Sequence, residues 1–191
     1  MTKTNSATLN ALRTLFGARA ASRLLKQSRG RASHILEEAR STYGAGWDAI
    51  RAVHALLEQA FLETPASEII DSPMRAAPFL KARLAGLGYE VFVVLFLDAQ
   101  HRVITCEELF RGTLTQTSVY PREVVRRALA CNCAALVACH NHPSGAAHPS
   151  RADQILTRGL QQALKLIDVQ VLDHIIVAAG NATSMAQLGL L

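Results

Sequence analysis

The sequence predicts an α/β (α+β) fold in which helices flank one mixed central sheet, with a small helical segment in front of it. Three observations support this prediction. Short apolar runs with the length of buried strands alternate with helix-like segments over the later two thirds of the chain. The first 60 residues contain helix-like patterns throughout, and half of all 191 residues are hydrophobic, which is enough for a substantial core.

Amphipathic helices separated by glycines are predicted for the first third of the chain. Leucines recur three residues apart in residues 9–15, the spacing of one helical face, and Gly17 interrupts the pattern. Two prolines in residues 64–73 indicate a joint. We therefore expect a basic helical N-terminal domain over residues 1–65 and a second domain over residues 66–191. The predicted N-terminal helices cover residues 6–16, 19–28, 31–43 and 47–63.

The second domain is predicted to begin with a helix and to continue as alternating strands and helices. The apolar run VFVVLFL at residues 91–97 has the length of a buried strand. Pro121 suits the first turn of a helix, because its missing N–H costs little there. The predicted elements are helix 72–86, strand 89–98, two further meander strands over 103–112 and 113–120, helix 121–132, strand 134–140, helix 150–167, strand 169–180 and a short helical tail.

Charge is distributed unevenly along the chain. Residues 1–60 contain nine lysines and arginines against four acidic residues, a balance of +5, whereas residues 61–191 contain eleven of each. A basic segment can contact nucleic acid, but arginines scattered in this way also suit a solvated helical surface. No apolar run reaches the roughly 18 residues of a transmembrane helix, and the N-terminus lacks the apolar core of a signal peptide. We therefore expect a cytoplasmic protein without membrane contact.

The four cysteines do not form a secreted disulfide pattern. Cys131, Cys133 and Cys139 crowd one segment, and Cys106 lies apart from them. Thiolate ligation of a metal is an alternative, but the C-x-C pair lacks the C-x-x-C spacing of zinc sites. We expect these cysteines to be small buried hydrophobic residues.

The stretch HNHPSGAAHPSRAD, residues 140–153, combines residue types that bind metals. If the preceding strand stays extended to its end, His140 and His142 project to the same face. The loop then returns to a helix whose first turn holds Asp153. Two histidines and one carboxylate leave a fourth position open on tetrahedral zinc, which is the arrangement of catalytic sites.

Helix capping offers a second interpretation of part of this stretch. Ser150 and Asp153 have the spacing of a capping box, in which the serine oxygen accepts the amide proton of the third helical residue. An acidic residue there also suits the positive end of the helix dipole. Capping explains neither His140 nor His142, and the two interpretations are compatible, since a helix N-terminus can also hold a carboxylate ligand.

The spacing H-x-H-x₇-S-x₂-D over residues 140–153 resembles the JAMM (MPN+) metalloprotease motif. The short sequence segments around this motif narrow the resemblance to the bacterial RadC family, historically called DNA repair proteins, over about residues 66–191. The segments that carry it are FLDAQHRVI, EELFRGT, VYPREVVRRAL, HNHPSG, PSRAD and LDHIIVA.

The resemblance implies a cytidine-deaminase-like JAMM/MPN architecture and one zinc ion per chain. It implies that His140, His142 and Asp153 are the zinc ligands and that Ser150 stabilises a tetrahedral oxyanion. A JAMM site also needs a glutamate from another strand, and the matching position is Glu90. Its carboxylate would act as the general base for the metal-activated water.

Further candidates surround this set. Glu107, Glu108 and Glu123 are weaker alternatives for the base, because they are predicted on the meander and at a helix start. Asp173 and His174 match the family and could orient a metal-binding imidazole, although an ordinary polar pair at a strand start fits equally. Asn141 is expected to hold the loop through backbone hydrogen bonds.

Two functional hypotheses follow from these features, and a third fits poorly. The leading hypothesis is a zinc-dependent metallopeptidase, possibly an isopeptidase, that hydrolyses an amide bond of a protein or peptide. The alternative is a DNA-associated repair or recombination factor that uses the JAMM fold as a scaffold and binds nucleic acid through residues 1–60. A nuclease of the HNH type does not fit, because its motif residues lie tens of positions apart. The N-terminal helices also make a docking surface or a homo-oligomer contact plausible.

Overall fold

The computed structural model describes residues 3–27, 35, 38–39, 44–63, 73–84, 87–112 and 118–191 of the chain. The chain divides into two compact units, residues 1–59 and 60–191. None of the described helices is long and apolar enough to cross a membrane.

The first unit is helical in its described part. Helix α1 (Lys3–Gln27) is interrupted at Gly17, whose φ of 76° and ψ of 166° are not helical, and helix α2 (Ala45–Glu63) follows. The predicted pair of helices on either side of Gly17 is therefore confirmed. The predicted helix 31–43 lies mostly outside the described residues. A small apolar core is formed by Leu12, Ala21, Leu24, Ile35, Ala39, Trp47 and Ile50.

The second unit is built on a five-stranded mixed sheet with the order β2-β1-β3-β4-β5. The pair β3–β4 is parallel and the other neighbours are antiparallel. The predicted fold class, helices around one mixed sheet, is confirmed. The elements are a 3₁₀ turn (Pro73–Ala76), α3 (Ala77–Leu84), β1 (Val91–Leu97), β2 (Val103–Arg111), α4 (Pro121–Ala130), β3 (Ala135–Asn141), α5 (Arg151–Lys165), β4 (Gln170–Ala178) and β5 (Asn181–Ser184).

Both faces of the sheet are covered. Phe79, Leu80 and Leu84 of α3 pack against one face, whereas Leu160 and Leu164 of α5 pack with residues of α4 against the other. Every residue of β1 and β3 is buried, which explains why β1 and the first five residues of β3 are apolar. The edge strand β2 has no fully buried residue.

Strand β4 contains one extra residue relative to β3. Leu136 pairs with Val171, but Val137 pairs with Asp173, so Leu172 is bulged out of the register. Beyond this point, His174 lies beside Ala138.

The predicted helical tail is wrong. Residues 181–184 form β5, which returns along β4 after a two-residue turn with positive φ at Ala179 (47°) and Gly180 (80°). Such turns match the twist of a hairpin, so the chain continues as a strand. The predicted meander strand at 113–120 is also not found in its described part, residues 118–120, while residues 113–117 lie outside the described residues.

Candidate metal centre

Three side chains from two elements converge at one end of the sheet. His140 belongs to β3, His142 follows that strand directly, and Asp153 lies in the first turn of α5. The Nε2 atoms of the two histidines are 2.9 Å apart, and the carboxylate oxygens of Asp153 lie 3.2 Å from Nε2 of His140 and 3.5 Å from Nε2 of His142. One ligand atom from each residue fits within a group 4.8 Å across. The structure therefore brings together the three residues expected to bind a metal.

The helix cap positions the carboxylate. Oγ of Ser150 accepts a hydrogen bond of 3.1 Å from the amide of Asp153, and the amide of Ser150 donates one of 2.6 Å to Oδ2 of Asp153. The predicted capping box is therefore present. It also orients Asp153 towards the histidines, so helix capping by Ser150 and metal binding by Asp153 are compatible.

His142 is fixed from behind by the loop. Its Nδ1 lies 2.7 Å from the carbonyl oxygen of Ala146, which can only accept, so we assign the hydrogen to Nδ1. Its amide donates to the carbonyl of Val177, which extends the strand pairing by one residue. The hydrogen bond with Asp153 raises the pKa of His142, and the carbonyl of Ala146 adds to this against the effect of partial burial.

His140 is fixed from behind by the core. It is 1% exposed, and its ring stacks on that of Phe92 at 6.3 Å between centroids. Its Nδ1 lies 2.8 Å from Nε2 of His174, whose Nδ1 in turn lies 2.7 Å from Oγ1 of Thr157. His174 and Thr157 are fully buried. Burial and the neighbouring His140 lower the pKa of His174 well below its usual value.

The donor set fits a divalent transition metal. In both candidate ligand histidines, Nδ1 contacts another partner and Nε2 faces the carboxylate. Two imidazole nitrogens and one carboxylate oxygen are ligands that zinc binds. Burial opposes ionisation of Asp153, but the hydrogen bonds with His140 and His142 outweigh it and hold the pKa of this carboxyl well below its usual range. The group can therefore present an anionic ligand at neutral pH.

A cavity of about 570 Å³ opens beside the three donor atoms. Glu90 and Ser150, the residues expected to take part in catalysis, both line it, together with His148 and the apolar Val119 and Leu156. Glu90 immediately precedes β1, on the strand next to β3, as the sequence suggested.

Asn141 holds the backbone on both sides of Glu90. Its Oδ1 accepts from the amide of Val91 at 2.8 Å, and its Nδ2 donates to the carbonyl of Tyr89 at 2.9 Å. The carbonyl of Glu90 itself accepts from the amide of Gly112 at 2.8 Å. Backbone hydrogen bonds were expected of Asn141, but they go to the start of β1 and not to the loop.

The weaker candidates for the base are engaged elsewhere. Glu107 is paired with Arg127, Glu108 with Arg111, and Glu123 with arginines of its own helix. The hydrogen bond from Arg127 lowers the pKa of Glu107. The described residues that line the cavity do not include any of these glutamates.

Asp173 and His174 point in different directions. His174 contacts the ring of His140, whereas the carboxylate of Asp173 accepts from the amide of His174, the hydroxyl of Ser184 and the amide of Ala186. Asp173 therefore ties β4 to β5 and to the turn that follows, and His174 is the member of the pair that supports a ligand.

Two supporting residues escaped the sequence analysis. Thr157 follows Asp153 by four positions, so both lie on one helical face, and this spacing was a usable signal. The carbonyl of Ala146 carried no such signal, because a backbone acceptor has no sequence identity. The four cysteines form no disulfide with one another. Cys133 and Cys139 are buried, as expected, whereas Cys106 and Cys131 are half-buried. Burial raises the pKa of Cys133 to about 12 and that of Cys139 well above its ordinary value.

Residues 70–190 match the family model described as RadC-like JAB domain. This chain belongs to the RadC-like JAB domain family. A UPF0758 protein of Leptothrix cholodnii is 56% identical over 143 residues, which are 74% of this chain and 64% of that protein. Another from Variovorax paradoxus is 55% identical over 160 residues, 81% of this chain and 71% of that protein.

The RadC-like JAB domain occupies most of the second unit. The matches with relatives cover only part of each relative's own length. A UPF0758 protein of Acidovorax sp. (strain JS42) is 62% identical over 123 residues, 64% of this chain but 52% of that protein. The chain thus spans between about half and seven tenths of the length of these relatives. All metal-site candidates of the RadC-like JAB domain lie within the matched residues.

Proposed function

We propose that this chain is a zinc-dependent metallopeptidase that hydrolyses an amide bond, including an isopeptide bond, of a protein or peptide. The observation that carries the proposal is the convergence of His140, His142 and Asp153 beside a cavity that also contains Glu90 and Ser150. Three ligands leave one coordination position for catalysis.

A zinc ion held by these three residues would lower the pKa of a water molecule to about 7 and polarise the substrate carbonyl. The protein would contribute the fixed positions of the three ligand side chains. His140 and His142 are each held from behind, and Asp153 is held by its helix cap.

Glu90 would carry the proton. It lines the cavity at the start of β1, the strand beside β3. The two hydrogen bonds of Asn141 to the backbone of Tyr89 and Val91, here called the Asn141 clamp, fix the backbone from which the side chain of Glu90 extends. The carboxylate would accept a proton from the attacking water and return it to the nitrogen of the leaving amine, which must be protonated to depart.

Ser150 would stabilise the developing negative charge on the carbonyl oxygen. Its Oγ accepts a hydrogen bond from the amide of Asp153, so the hydroxyl hydrogen remains for donation, and the side chain is exposed at the cavity. A single donor of this kind contributes about 10²–10³-fold to the rate of acyl transfer.

Metal content and hydrolysis together test the proposal. We expect about one zinc per chain in protein purified without chelator or metal affinity resin, and the same content in Glu90→Gln. Mixtures of linear and lysine-branched peptides, analysed by mass spectrometry, should be cleaved by the wild type and not by Glu90→Gln. No zinc in the wild type, even after zinc is added, would refute the metal site, whereas zinc without cleavage would restrict the refutation to the peptidase activity.

Nucleic-acid binding is the second candidate function. Helix α1 contains five basic residues and no acidic one, and the described side chains Arg13, Arg19, Arg23 and Lys26 are exposed. Phosphate contacts release counterions, so binding should weaken steeply as salt rises. The test is fluorescence anisotropy with labelled DNA at low and physiological salt, for the wild type and for a variant with these four residues changed to Gln. Equal affinities would refute it.

A further inference from the structure

We propose that Thr157 is a positioning residue that determines which nitrogen of His140 is available to a metal ion. The inference rests on the metal site of the proposed function and extends it to a residue that is neither a ligand nor part of the cavity lining. Thr157 is fully buried on α5, four residues after Asp153. Its hydroxyl has only one hydrogen, and the position of that hydrogen fixes every hydrogen bond between it and the ligand.

The first step concerns the hydrogen of Thr157. Its Oγ1 lies 2.6 Å from the main-chain carbonyl oxygen of Asp153. A carbonyl oxygen cannot donate, so a contact this short between two oxygens requires the hydroxyl hydrogen between them. The sulfur of Met185, 3.6 Å from Oγ1, is a weak acceptor and does not compete with the carbonyl. The hydroxyl therefore has no second hydrogen to give to His174.

The second step concerns the tautomer of His174. Its Nδ1 lies 2.7 Å from the same Oγ1, which is already committed as a donor elsewhere, so Nδ1 must carry the hydrogen of this bond. The ring of His174 is fully buried, and its two nitrogens contact the hydroxyl of Thr157 and the imidazole of His140. Neither contact is an anion that could compensate a buried charge, so the ring is neutral. A neutral imidazole with its hydrogen on Nδ1 has a bare Nε2, which can only accept.

The third step reaches the ligand. Nδ1 of His140 lies 2.8 Å from the bare Nε2 of His174, so His140 donates from Nδ1. Its Nε2, which faces Asp153 and His142, is then the nitrogen whose lone pair can bind a metal. With the opposite direction of the chain, Thr157 would donate to His174 and His140 would be obliged to carry its hydrogen on Nε2, at the position that a metal must occupy.

In His142, a single hydrogen bond with the loop fixes the same tautomer, with the hydrogen on Nδ1. The carbonyl of Ala146 fixes the hydrogen of His142 on Nδ1 directly, whereas His140 obtains it through two intermediate side chains. Removal of the Thr157 hydroxyl should therefore affect His140 alone.

The variants Thr157→Val and Thr157→Ser in the full chain test this inference. Valine has the shape of threonine without the hydroxyl, and we expect the Kd for zinc, measured by competition with a chromophoric chelator, to rise about 10–100-fold. Serine retains the hydroxyl and should restore an affinity close to that of the wild type. Ser184→Ala is the matched control, because it removes a buried hydroxyl that binds Asp173 and not the ligand chain. It should leave the Kd unchanged.

A spectroscopic measurement separates positioning from stability. Long-range ¹H–¹⁵N correlation spectra of the imidazoles should place the hydrogen of His174 on Nδ1 in the wild type and in Thr157→Ser, and shift it partly to Nε2 in Thr157→Val. An unchanged Kd together with an unchanged His174 tautomer in Thr157→Val would overturn the inference. So would a hydrogen on Nε2 of His174 in the wild type, a measurement that needs no variant to fold. If the wild type binds no zinc, the proposed function fails, and the tautomer of His174 still decides the role of Thr157.

Discussion

The two histidines of the candidate metal centre are two residues apart but are held by different parts of the molecule. His140 lies in the sheet, on what we call the core side of the site, with His174 and Thr157 behind it. His142 lies on the loop side, where its Nδ1 contacts the carbonyl of Ala146 and 16% of its side chain is exposed. One ligand is thus fixed by a buried network and the other by a surface turn, so the two should differ in what their loss does to the fold.

Removal of either ligand gives the largest expected effect. His140→Ala and His142→Ala should each lose nearly all bound zinc, as measured by elemental analysis. In the metal-free state His140→Ala should also lower the free energy of unfolding by about 1–3 kcal/mol, because it leaves the buried Nε2 of His174 without a partner. His142→Ala should lie within about 0.5 kcal/mol of the wild type.

Urea unfolding after chelator treatment measures this difference. His148→Ala, which removes a cavity histidine that is not among the three ligand candidates, is the control and should retain zinc. Equal destabilisation by His140→Ala and His142→Ala would show that the distinction between core side and loop side is wrong.

The base candidate belongs to the core side through Asn141, and its variants should give the next largest effect. Glu90→Gln should lower kcat on a cleaved peptide by about 10²–10⁴-fold with zinc retained. Asn141→Ala should lower kcat less and destabilise the fold by about 1–3 kcal/mol, since it leaves the amide of Val91 and the carbonyl of Tyr89 without their partner. Full activity in Asn141→Ala would show that the hydrogen bonds of Asn141 are not needed to position Glu90 for catalysis.

Ser150 on the loop side should show a smaller effect with two separable parts. Ser150→Ala should lower kcat about 10²-fold through the lost donor and the free energy of unfolding by about 1 kcal/mol through the lost cap. Ser150→Thr keeps both functions and should restore both values. If Ser150→Ala loses stability but no activity, the residue is a cap only.

The pH dependence should be the smallest effect, and it isolates the loop side. The folded pKa of His142 is raised by its hydrogen bond with Asp153. The resulting stabilisation of the metal-free protein is therefore fully present below the unfolded pKa of about 6.5 and is lost as the pH rises through the folded value. The free energy of unfolding of the wild type should exceed that of His142→Gln at pH 5.5 and approach it at pH 9. A difference that grows with pH would contradict this assignment.

The sequence could predict those parts of the site that depend on local periodicity. The two-residue period of a strand placed His140 and His142 on one face, and the capping spacing placed Asp153 in a first helical turn. The buried strand β1 and the first five residues of β3 were recognisable because strands covered on both faces are predominantly apolar.

The remaining features depend on contacts between distant segments. The strand order β2-β1-β3-β4-β5 and the meeting of His174 with His140 arise from pairing of β3 with β4 across a helix, which no local pattern specifies. The tail was mispredicted because its residues show no clear preference for helix or strand. The turn at Ala179 and Gly180 brings them back along β4, where they pair as β5.

The bulged Leu172 sets the parity of β4. Side chains alternate between the two faces of a strand, so one residue more or fewer inverts every side chain beyond it. If Leu172 paired with Val137 in register, His174 would pair with Cys139 and project towards α3, while Asp173 would pair with Ala138 and project towards His140. The bulge thus decides whether an imidazole or a carboxylate supports His140. A chain in which Leu172 paired regularly with Val137 would keep every letter of the H-x-H-x₇-S-x₂-D motif but lose the core side of the site.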